Sequence, residues 1–112
     1  MKEFMLIFRN TTGAPEPTPD EMQANMALWF AWIDKLRANN AYVGGEALSP
    51  GGKTVKGAKA LVTDGPFAES KEVVGGYFVI KAKSIEEAAE IAKGSPDLPG
   101  NGSVEVREVM KM

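Results

Sequence analysis

The 112-residue chain contains no cysteine and no histidine. Without cysteine there is no disulfide framework, no thiolate nucleophile and no thiolate-ligated metal. Without histidine the chain lacks the commonest metal ligand and the one side chain that titrates unperturbed near neutral pH. Any acid–base chemistry falls to Asp, Glu, Lys, Tyr or bound water. Basic blocks are missing as well: 13 Lys and Arg stand against 15 Asp and Glu, a net charge of −2. Nucleic-acid binding, which runs on clustered cations, is therefore not expected. No apolar run approaches the roughly 20 residues of a membrane span. The N-terminal MKEFMLIFRN is apolar but short, and Glu3 and Arg9 bracket it, unlike the longer core of a signal peptide. No dinucleotide fingerprint or phosphate loop is present, so no cofactor is expected. The exclusions leave a globular chain, expected in the cytoplasm, with no nucleic-acid or membrane partner.

What is present reads as one domain spanning residues 1–112. In EFMLIFR, Phe4, Leu6 and Phe8 share one face of a strand, and Met5 and Ile7 share the other. A strand that is apolar on both faces belongs in the middle of its sheet. A Pro- and Gly-rich loop follows, then a helix start. Thr18 caps it, Pro19 takes the first turn and Glu21 completes a capping box. The helix is predicted to run to about Asn40. Met22, Met26, Trp29, Ile33 and Leu36 recur at spacings of four and three and give one buried stripe. That phase places Trp29 in the core and Trp32 nearer an edge.

YVGGEAL is predicted as a short strand, bulged at Gly44-Gly45, and TVKGAKALVT as one strand or a hairpin broken at Gly57. VVGGYFVIKA is a strong strand. SIEEAAEIAKG is a second helix with Ser84 and Glu87 as its capping box and Gly94 as its stop, and SVEVREVM is the last strand. The order predicts an α+β chain of the ferredoxin-like split βαβ type. It has an antiparallel sheet, two helices on one face and an extra middle hairpin. One sheet face is then uncovered, and pairing two copies face to face as a homodimer would cover it.

Several residues invite a functional reading beside a structural one. Asp64-Gly65-Pro66-Phe67 is either a turn with an aromatic plug or the edge of a ligand cleft with Asp64 as its base. Glu69, Lys71 and Glu72 follow closely, either as solvated surface or as groups that tune Asp64. Gly75-Gly76 weakens an apolar strand, so a bulge, a crossing helix or a ligand must require it. Tyr77 and Phe78 point to opposite faces, which makes Tyr77 a core residue or a cleft donor. Glu105 and Arg107 share the face opposite Val104 and Val106. They form a salt bridge within or between chains, or an anion site.

LVTDGPFAESKEVVGGYFVI, with YVGGEALSP before it and SVEVREV at the end, closely resembles the signature of the YCII-related family in its DGPF branch. The resemblance covers nearly the whole chain. It implies a ferredoxin-like fold that dimerises as an α/β barrel, an architecture shared with small cyclases, isomerases, dehydrochlorinases and cofactor-free monooxygenases. Some DGPF-branch members are encoded beside extracytoplasmic-function sigma factors, which implies a regulatory role. Enzymes of the wider family look like they use a His–Asp pair. This chain has Asp64 and no histidine, so that mechanism does not transfer.

Two functions stay open at this point. One is a non-catalytic or regulatory dimer that binds a small molecule. The alternative is a cofactor-free enzyme, isomerase-, cyclase- or dehydrochlorinase-like, acting on a small cyclic or oxygenated substrate. It would use Asp64 for proton transfer with Tyr77 or Arg107.

Overall fold

In the computed structural model, β1 (Lys2–Thr11) turns Phe4, Leu6 and Phe8 to one side, where they are buried. Met5 and Ile7 face the other side and are half-buried. The structure describes residues 1–11, 17–65 and 72–112. After β1 come α1 (Pro19–Ala38), β2 (Tyr42–Ala47), β3 (Lys53–Lys56), β4 (Leu61–Asp64), β5 (Glu72–Ala82), α2 (Ile85–Ala92) and β6 (Gly102–Glu108). Four strands form one sheet in the order β2-β5-β1-β6, every pairing antiparallel. With the β3–β4 hairpin set aside, the first and third strands lie in the middle and the second and fourth form the edges. That is the interleaved order of the ferredoxin-like split βαβ arrangement. β1 is central, with Phe4, Leu6 and Phe8 under the helices and Met5 and Ile7 on the helix-free face.

Both helices cover the face that carries Phe4, Leu6, Phe8, Phe78 and Ile80. At the start of α1, Thr18 Oγ1 accepts a hydrogen bond from the Glu21 amide at 3.2 Å, and the Glu21 carboxylate accepts from the Thr18 amide at 3.2 Å. The predicted capping box is thus complete. Asn40 ends the helix with φ of 57°, the left-handed value that asparagine tolerates. At α2 only one arm of the expected box is formed: Ser84 Oγ accepts from the Glu87 amide at 3.2 Å.

The phase of α1 differs from the predicted one. Trp32 and Leu36 are buried, at 8% and 4% exposure, and Trp29 and Ile33 pack at the margin. Met22 and Met26 are 53% and 55% exposed. The burial line therefore runs through positions 29, 32, 33 and 36, and the two-methionine half of the stripe is not covered by the sheet. The tryptophan ranking is reversed, with Trp32 in the core. Gly94 fits the same contact, since a Cβ there would lie 2.7 Å from Trp32 Nε1. Trp32, Trp29, Phe8 and Phe78 form one aromatic cluster with ring centroids 4.9–5.9 Å apart, mostly edge to face.

TVKGAKALVT is a hairpin. Strands β3 and β4 form a separate two-stranded sheet, and the turn between them uses Gly57 at φ of 81°. The bulge expected at Gly44-Gly45 lies one residue earlier, as a break in register between Tyr42 and Gly44, and a second break lies opposite Phe8 and Arg9.

Candidate functional site

The middle of α1 stands over a half-open cavity of about 340 Å³. Met26, Trp29 and Phe30 wall it from the helix, and Phe8 and Phe78 from the sheet. Gly75 and Gly76 form its floor together with Ala47. The ladder explains the glycine pair. Phe8 pairs with Gly76 and Arg9 with Val74, so Gly75 is the extra residue of a β-bulge. A Cβ on Gly76 would sit 2.8 Å from the Glu46 carbonyl oxygen, and one on Gly75 would sit 3.0 Å from Asn10 Nδ2. Side chains here would push into the neighbouring strand or the cavity. Of the three causes expected for Gly75-Gly76, the bulge is present.

Three polar side chains stand at the mouth: Asn10, Asn25 and Asp97. The same three line a wider, outer groove of about 930 Å³ that reaches Glu21, Leu48 and Asn101. Asp97 is fixed by its own backbone. Its carbonyl accepts hydrogen bonds from the amides of Gly100 at 3.1 Å and Gly102 at 3.2 Å. A Cβ on Gly102 would come within 2.7 Å of the Asp97 Cβ, so glycine at 102 makes room for it. Asp97 is half-buried, and its carboxylate has no hydrogen bond or ion pair among the described residues.

The opposite face of the sheet carries a charged triad. Arg9 Nη2 donates to Glu105 Oε1 at 2.9 Å, and Arg107 Nη1 lies 3.5 Å from Glu105 Oε2. The hydrogen bond from Arg9, with the charges of both arginines, holds the Glu105 carboxyl below its usual range, against the opposing effect of desolvation. Val104 and Val106 pack under the helices as expected. Ile7 pairs with Glu105 on one side and with Tyr77 on the other, so half-buried Tyr77 shares this face. The structure thus groups Arg9, Glu105 and Arg107, and places Tyr77 on the same face one strand away, with Ile7 between.

Asp64 is placed elsewhere. It ends β4 on the hairpin, its side chain is 89% exposed, and it pairs with Lys53. It lines neither cavity. Gly65 follows it with its amide bonded to the Gly52 carbonyl at 3.0 Å. Glycine fits there because a Cβ would lie 2.2 Å from Thr54 Oγ1. Pro66, Phe67, Glu69 and Lys71 lie outside the described residues, and of Glu72 only the backbone, in β5, is described. Among the described residues no group of three or more acidic side chains is placed to hold a metal ion.

Sequence reasoning missed Asn10, Asn25 and Asp97. SPDLPGNG reads simply as a loop, and its one usable signal was the pair of glycines at 100 and 102 that hold Asp97.

The sequence model of the YCII-related domain matches residues 3–112. An uncharacterized protein of Rhizobium meliloti (strain 1021) is 42% identical over 50 residues, a stretch that covers 44% of this chain and 40% of that protein. Among solved structures, the 5-chloro-2-hydroxyhydroquinone dehydrochlorinase of Burkholderia phenoliruptrix AC1100, in complex with 2,5-dihydroxybenzoquinone, aligns with a TM-score of 0.44 at 19% identity. That alignment covers 96% of this chain and 93% of the other.

Proposed function

The chain belongs to the YCII-related family, and from that premise we propose that it is a small-molecule-binding homodimer, non-catalytic or regulatory in role, with its ligand under α1. The carrying observation is the aromatic-walled cavity whose floor is opened by two glycines. Its volume falls at the lower end of small-molecule sites, and apolar walls with a few convergent polar groups are their usual makeup. The dimer reading rests on the helix-free sheet face. There the half-buried Met5, Ile7 and Val79 lie beside the Arg9–Glu105–Arg107 triad. A second copy would cover those apolar side chains and leave the charges at the rim.

Sedimentation tests assembly, with a dimer expected at micromolar concentration and a clean monomer counting against it. Naphthalene titration tests the cavity. Phe30 is 59% exposed, so Phe30→Ala should leave the melting temperature nearly unchanged while weakening naphthalene. Equal binding by both proteins would place the ligand elsewhere.

The catalytic alternative through Asp64 draws less support. It needs a carboxylate beside an enclosed cavity, and Asp64 is exposed on the hairpin.

A further inference from the structure

The charged groups around the cavity and its outer groove have one sign. Among the described residues, Glu46, Asp97 and Glu21 line these spaces, and no lysine or arginine does. Arg9 belongs to the adjacent strand, but it is bonded to Glu105 on the opposite face of the sheet. A carboxylate or phosphate entering here would be desolvated beside Asp97 with no cation among the described residues to meet it. The Asp97 carboxylate, in contrast, has no partner among the described residues at the mouth, and an ionised carboxylate can only accept. Asn10 and Asn25 each offer both donor and acceptor atoms beside it. The interior past them is aromatic on two sides and suits a flat ring.

From this juxtaposition we infer that the cavity selects an uncharged aromatic ring of one or two fused cycles that carries a hydroxyl or amino group. The ring lies between α1 and the sheet, and its O–H or N–H donates to Asp97. Asn10 and Asn25 bond the same substituent or its neighbour. Asp97 is a specificity residue for the ligand, distinct from Asp64. The inference rests on the cavity being the ligand seat, as proposed above.

Three probes of one ring size separate the two claims: naphthalene, 2-naphthol and 2-naphthoate, titrated calorimetrically into the full chain at neutral pH. The wild type should bind 2-naphthol roughly tenfold or more tighter than 2-naphthoate, the scale of one hydrogen bond to a charged group. Asp97→Asn keeps the backbone carbonyl that bonds Gly100 and Gly102, removes the charge and turns one acceptor oxygen into an NH2 donor. It should collapse that preference, weakening 2-naphthol and admitting 2-naphthoate, with naphthalene unchanged. If the wild type binds all three alike, Asp97 does not select and the inference falls, while the cavity reading stands. If none of the three binds, the cavity reading falls and takes the inference with it. The wild-type comparison stands alone should Asp97→Asn fold poorly.

Discussion

The β3–β4 hairpin and the cavity under α1 are assembled in opposite ways. The hairpin is local: residues 53–64 pair with one another in their own small sheet, and Val55, Leu61 and Val62 remain more than 60% exposed. The cavity is the product of long-range contacts. Its polar mouth combines residues 10, 25 and 97, and its floor is at 75 and 76. A run of conspicuous residues such as TDGPF is visible because its members are adjacent in sequence. A cavity drawn from five distant segments is not visible until the topology brings them together. The lesson is that the densest motif and the best-formed cavity need not coincide.

This contrast can be broken most sharply in the aromatic cluster. Trp32 is buried beside the cavity and Trp29 is its partly exposed wall. Trp32→Ala should cost about 3–5 kcal/mol in chemical denaturation, as large aromatic truncations do, and Trp29→Ala distinctly less. The reverse ranking would refute the observed helix phase.

The back of the sheet gives a smaller effect with a pH signature. Glu105 has a lowered folded-state pKa, chiefly through its hydrogen bond from Arg9. Its contribution to stability is therefore full above the usual value of 4.5 and is lost as pH falls through the lowered one. Arg9→Gln should be less stable than wild type at neutral pH, and the gap should narrow as the medium is acidified below that window. A gap that is constant with pH would remove Glu105 from the account.

The hairpin should give the smallest effect. The Lys53–Asp64 pair is exposed on both sides, and such pairs contribute about 0–1 kcal/mol. Asp64→Asn should shift the denaturation midpoint by no more than that corresponds to. A large loss of stability would show that the hairpin is part of the core after all.

Most of the fold was legible because its signals are local or periodic. The alternation in Phe4 to Phe8 gave the central strand, Thr18 and Glu21 gave the start of α1, and Gly57 gave the hairpin turn. The phase of α1 was less accessible. Met22-Met26-Trp29 and Trp29-Trp32-Leu36 both satisfy helical spacing, and only the length of helix actually lying over the sheet chooses between them. Of the candidate site, Glu105 and Arg107 were placed correctly on one face by strand parity. Arg9, their partner from β1, required the pairing register. Asp97 carried no signal of its own, since its surroundings are set by backbone bonds to two glycines downstream.

The bulge at Gly75 has a consequence for chain length. A regular antiparallel ladder would pair the residue after Gly76, reading backwards, with Arg9, and Val74 already does so. Losing Gly75 would keep the β1–β5 ladder in register and its side chains on their present faces, and would cost the Leu48 amide its acceptor on the β2 side. The sheet would tolerate the deletion and the cavity floor would not. A chain one residue shorter here would keep the β1–β5 scaffold and lose the cavity floor, so a gap at this position would sort related chains by the cavity rather than by the fold.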